Sequence, residues 1–226
     1  MVALFVALMF VGLVLTDFGL QKVKAYRAAR ALRPLMSAAG VRMENLWQVP
    51  EGVHLSSGHT WSRPDPAGVE IGADLLIAHA LGAVSRVILP KPGDQVSAGQ
   101  PLFRLERDGR TLNVPAPFTG RVANVNSRLE AQPALLTSDP FGGGWVCLLT
   151  PTQLDEPPAT MLFGEKAIMW AEREFNRLQV FVFGQVMPDF ALGATLPDGG
   201  PLAPGCLGEL DSKAWSAFES EFLKAK

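Results

Sequence analysis

The sequence predicts a mainly β domain in the middle of the chain, preceded by an apolar helix and followed by an α-rich C-terminal part. Three observations carry that prediction. Residues 1–20, MVALFVALMFVGLVLTDFGL, contain no charge before Asp17. From about 41 to 150 the chain is rich in Gly, Pro and Val, with short apolar runs separated by turn pairs, the texture of a compact sheet domain. Beyond 160 apolar residues return at steps of three and four, the period of a helix with one buried stripe.

The first 20 residues are long enough for a single transmembrane helix. No basic residue precedes the run, as one would before a cleaved signal peptide, and a basic stretch follows it. Lys22, Lys24, Arg27, Arg30 and Arg33 have no acidic residue among them. The positive-inside rule therefore puts the N-terminus outside and the rest of the chain on the cytoplasmic side of the inner membrane, with these five side chains near anionic head groups. Residues 21–40 continue as an Ala- and Arg-rich juxtamembrane helix until Pro34 and Gly40 break it.

Residues 41–155 form the β domain. Its candidate strands are 53–55, 69–71, 83–89, 102–106, 111–114, 120–125 and 144–149, with one helix in ADLLIAHAL between Gly72 and Gly82. Asp108-Gly109 lies between the two strand-like runs of RLERDGRTLNV. That pair is a strong hairpin signal, because a two-residue primed turn needs positive φ, which Gly allows freely and Asp tolerates. The segments starting at Gly82 and Phe118 share a pattern of glycine, strand and polar turn, which suggests two half-motifs facing each other in a flattened sandwich. The proline-rich stretch PTQLDEPPAT ends the domain.

Residues 156–226 read as helix, hairpin, helix. Ile168, Ala171, Phe175, Leu178 and Val182 form one apolar stripe over 164–183, expected to pack within the chain. Asp198-Gly199-Gly200 predicts a second hairpin. Asp211 is a cap for a last helix whose Trp215, Phe218 and Phe222 share a face, expected to meet a partner subunit.

Composition narrows the function. A net charge of −2 over 226 residues argues against nucleic acid as a partner. Cys147 and Cys206 cannot make a disulfide framework and read as reduced thiols. His54, His59 and His79 lack metal-ligand spacing, and no Ser/His/Asp set, Cys/His pair or phosphate loop points to catalysis. The expectation is no enzyme, no metal and no cofactor.

HTW at 59–61, LGAVSRVILPKPGDQVSAGQPLFRLE at 81–106 and VPAPFTGRVANVNSRLEAQPALLTSDPFGGGWVCLL at 114–149 resemble the glycine cleavage system H protein, a relative of lipoyl and biotinyl carrier domains. The resemblance implies a flattened, lipoyl-domain-like β-barrel-sandwich. It also implies a hairpin whose tip presents a lipoylated lysine, the arm that carries an aminomethyl group between enzymes. Counted from Ala116-Pro117, that lysine position falls on Gly109. Arg107 and Asp108 replace the small and apolar residues of the family, and Lys91, the only lysine between 41 and 154, lies in another turn. Arg110 cannot take an amide-linked lipoyl group, because its guanidinium stays protonated.

Two functions follow as expectations. The first is a membrane-anchored accessory or scaffold subunit that uses a carrier fold without its lysine to bind a respiratory or photosynthetic complex. The second is an H-protein-like carrier or docking adaptor for lipoate-dependent enzymes.

Overall fold

The computed structural model describes residues 9, 16, 17, 20, 22, 23, 30, 35, 48–152, 161–186 and 202–224. Among them no helix is long and apolar enough to cross a membrane. The expected span at 1–20 lies largely outside the described residues, as do Lys24, Arg27, Arg33 and the hairpin at 198–200; Lys22 and Arg30 are helical and exposed.

Among the described residues, ten strands form two antiparallel sheets. In chain order they are β1 (His54–Leu55), β2 (Thr60–Asp65), β3 (Gly68–Ala73), β4 (Arg86–Ile88), β5 (Gln95–Val96), β6 (Pro101–Arg107), β7 (Arg110–Pro115), β8 (Gly120–Val125), β9 (Cys147–Pro151) and β10 (Leu162–Phe163). One sheet runs β10-β1-β2-β3-β9-β8-β5 and the other β4-β6-β7. Ile71, Val122 and Leu149 from the first share a core with Phe103, Leu105, Leu112 and Val114 from the second. Leu102 and Phe103 are both buried although neighbours on a strand point to opposite faces, and the pairing of β6 with β7 shifts register between Pro101 and Phe103. All seven expected strands are present, some shortened or shifted by up to three residues; β2, β5 and β10 are additional. β2 escapes a sequence reading because Arg63, Pro64 and Asp65 give its second half the look of a loop.

From residue 48 onward the described residues also hold five α-helices, α1 (Leu75–Leu81), α2 (Arg128–Ala131), α3 (Leu135–Ser138), α4 (Gly164–Val186) and α5 (Ser212–Phe222), and a 3-10 helix at Cys206–Glu209. Asp74 caps α1, its Oδ1 accepting from the Ile77 amide at 3.1 Å. The expected stripe on α4 is out of phase at its start, since Ile168 is exposed and Ala167 is buried in its place. From Phe175 onward the stripe packs inward as expected.

The partner-facing role expected of α5 is corrected. Trp215, Phe218 and Phe222 are all buried in this chain's own core, Phe218 and Phe222 completely. Phe181 of α4 meets Phe218 and Phe222 edge-on, with centroids at 6.0 and 5.6 Å. An aromatic face states that it will be covered but not by what, and α4 supplies the cover within the same chain.

Candidate functional site

The β6–β7 hairpin closes as its sequence dictates. Asp108 and Gly109 take φ of 51° and 74°, both left-handed, and Arg107 pairs with Arg110 across the two-residue loop. That is the primed turn whose twist matches the flanking strands. Nothing lies within 4 Å of where a Cβ on Gly109 would stand, so the tip is open.

Immediately behind the tip the hairpin is held by the C-terminal segment. Arg107 Nη1 donates to the carbonyls of Leu81 and Gly205, and its Nε pairs with Asp108 at 3.1 Å. Arg110 donates to the carbonyls of Leu210 at 2.5 Å and Gly208 at 2.8 Å, while its guanidinium lies 4.6 Å from the centre of the Trp215 ring. The Trp215 indole N–H donates to the Thr111 carbonyl at 3.0 Å, and the Asn113 amide donates to Glu219 at 2.6 Å. α5 therefore runs beside β7, the outer strand of the three-stranded sheet. Two further bonds fasten the same segment: His79 Nε2 with the Leu202 carbonyl at 2.9 Å, and the Ala203 amide to the Leu35 carbonyl at 2.8 Å. Burial pushes the His79 ring toward its neutral form, against the pull of the Leu202 carbonyl.

A second cluster lies at the β1–β2 turn, where sequence reasoning saw only the family resemblance of HTW and assigned His59 no role. His59, with a left-handed φ of 58°, is fully buried. Its Nδ1 sits 2.8 Å from Asp74 Oδ2, and its Nε2 lies 3.5 Å from Glu174 on α4, which pairs with Arg177 at 2.7 Å. Trp170 and Phe222 flank the imidazole, with centroids at 5.1 and 5.9 Å. Burial alone would drive the His59 pKa down. Asp74 and Glu174 together outweigh it and raise the value to about 9, so the ring is an imidazolium at neutral pH. The result is an alternating row of charges, Arg177, Glu174, His59, Asp74, joining α4 to the sheet. One signal was available: Asp before an apolar run is a readable helix cap, although its second oxygen's partner is not.

Cys147 and Cys206 are free and buried, and burial pushes both thiols up to about 12, so neither is a ready nucleophile. Among the described residues no group of three or more His, Cys, Asp or Glu side chains could hold a metal ion.

A two-sheet sandwich that projects a tight hairpin is the build of a lipoyl-carrier-type domain. The family model described as glycine cleavage H-protein matches residues 53–172, more than half of the sequence. The chain belongs to the glycine cleavage H-protein family. The glycine cleavage system H protein of Micrococcus luteus is 36% identical over 104 residues, covering 45% of this chain and 81% of that protein. A probable glycine cleavage system H protein of Thermococcus kodakarensis is 35% identical over 111 residues, covering 49% and 82%. A crystal structure of the glycine cleavage system H protein from Mycobacterium marinum aligns at a TM-score of 0.48 and 28% identity, covering 55% of this chain and 99% of that one. The match ends within α4, so residues 202–224 lie beyond it.

The residues at the hairpin do not fit the family's lipoyl group. Gly109 offers no side chain, and the flanking nitrogens belong to guanidiniums already engaged by carbonyl oxygens. Lys91 is exposed, but it sits in the turn between β4 and β5, where its amide donates to Asp94.

Proposed function

We propose that the chain is a docking module of the H-protein family that meets lipoate-dependent enzymes without carrying the lipoyl group or catalysing a reaction. The observation that carries this reading is the H-protein domain with Gly109 in place of an amine at its hairpin tip. The relatives' name, glycine cleavage system H protein, points to the enzymes of that system as the partner class. Docking then uses the outer surface of the β domain that the C-terminal segment leaves open.

A membrane tether belongs to the same proposal. Its support is the apolar run at 1–20 and the basic residues Lys22, Lys24, Arg27, Arg30 and Arg33 behind it, which together favour an outside N-terminus and a cytoplasmic β domain. An assembly role in a respiratory or photosynthetic complex has no support in the site or in the relatives and is not carried forward.

Competition tests the docking. Full-length protein in mild detergent, added to glycine cleavage enzymes turning over a lipoylated H protein, should raise the apparent KM for that H protein and leave kcat unchanged. No change in KM at large molar excess contradicts the proposal.

A further inference from the structure

We propose that residues 202–224 are a built-in cover that denies a modifying enzyme access to the flanks of the β6–β7 hairpin, and that Arg107 and Arg110 are the residues that decide it. The inference rests on the family assignment of the hairpin, not on which enzyme docks. An enzyme that attaches a group to a hairpin lysine must grip the strands on either side of the tip, and here those strands are occupied. Arg107 and Arg110 together reach four backbone carbonyls, three of them on Gly205, Gly208 and Leu210.

The fit is specific on the other side as well. A Cβ on Gly205 would stand 2.7 Å from Arg107 Nη1, and one on Gly208 would run into the Arg107 guanidinium. The segment GCLGEL therefore carries glycines where the hairpin's arginine needs the space. Along β7, the Thr111 carbonyl accepts from the Trp215 indole and the Asn113 side chain donates to Glu219, so α5 occupies the part of the strand edge next to the tip. The tip itself stays open: apart from its chain neighbours, no atom lies within 4 Å of where a Cβ on Gly109 would stand. A small reagent reaches the tip, whereas a protein that must hold the flanks does not.

The loss of the lysine and the arginine contacts are thus two layers of one exclusion, and replacing the amine alone does not undo it. The test starts from full-length Gly109→Lys, compared with the same protein carrying Gly208→Ala, which displaces Arg107 while leaving the hairpin sequence intact. A further comparison adds Arg107→Ser, which removes the contact from the hairpin side. Each is incubated with a lipoate–protein ligase, ATP and lipoate and read by intact mass. An acetyl N-hydroxysuccinimide ester measures simple exposure of the introduced amine, and a thermal melt shows that each protein is folded. The small reagent should acetylate the introduced amine in every variant. The ligase should modify Gly109→Lys alone at least about tenfold more slowly than either uncovered variant. Equal rates with and without the cover, whether fast or absent, would overturn the proposal.

Discussion

At the hairpin, the charges of Arg107 and Arg110 are met mainly by backbone carbonyls of residues 205–210, whereas at the β1–β2 turn the charge of His59 is met by the carboxylates of Asp74 and Glu174. Both places join the region after 161 to the β domain, by opposite means. A carbonyl does not titrate and a guanidinium keeps its proton, so the arginine–carbonyl contacts of the hairpin seam are indifferent to pH. The His59 seam is deeper, and breaking one member leaves an uncompensated charge out of water, which costs about 3–5 kcal/mol. One seam is strong and conditional, the other weaker and held mainly by contacts that do not titrate.

The largest expected effect comes from breaking the buried seam at Asp74. Asp74→Ala removes both the α1 cap and the nearer partner of His59, and should lower the unfolding free energy by about 4–5 kcal/mol in a denaturant titration. Asp74→Asn keeps a capping oxygen and should recover about 1 kcal/mol of that. Equal losses would mean that the cap contributes nothing.

Titration sharpens the same contrast. The folded pKa of His59 lies above its ordinary 6.5, so the stabilisation is fully present below pH 6.5 and is lost as pH rises through about 9. A change of that size corresponds to about 3 kcal/mol between pH 6 and pH 10. His59→Gln should flatten this part of the stability profile, while Arg110→Ala should leave its shape unchanged. A profile with the same slope in His59→Gln would assign the pH dependence to other groups.

At the hairpin the expected effects are smaller. Arg110→Ala removes two carbonyl contacts and the stacking on Trp215 and should cost about 2 kcal/mol in a denaturant titration at pH 7. Gly109→Ala forces a side chain into the left-handed region with space around it, so only the backbone term remains, about 1 kcal/mol in the same titration. A neutral Gly109→Ala would contradict the turn geometry.

How much of this was legible in the sequence follows from how far each partner lies along the chain. The hairpin was readable because Asp108-Gly109 specifies its turn within two residues, and α1 was readable from its unbroken apolar run between Gly72 and Gly82. The hairpin seam was not, since Arg107 finds Gly205 98 residues away through a carbonyl that no residue type announces. The His59 seam hid for a related reason: Asp74 is 15 residues on, and Glu174 lies on a helix whose sequence pattern gives only its apolar face. The same limit explains the error over Trp215, Phe218 and Phe222. Periodicity showed that the three belong together, and tertiary packing decided that Phe181 and the β domain, not a second protein, would cover them.

The lipoyl question admits a direct measurement: the intact mass of the protein purified from its native membranes or cytosol, with peptide mapping across residues 86–128. A hairpin that ends in Asp108-Gly109 predicts an unmodified mass and an unmodified peptide containing Lys91. A lipoyl-sized addition on Lys91, or on any other lysine of the chain, would contradict the reading of this molecule as an H-protein-family module without the carrier group.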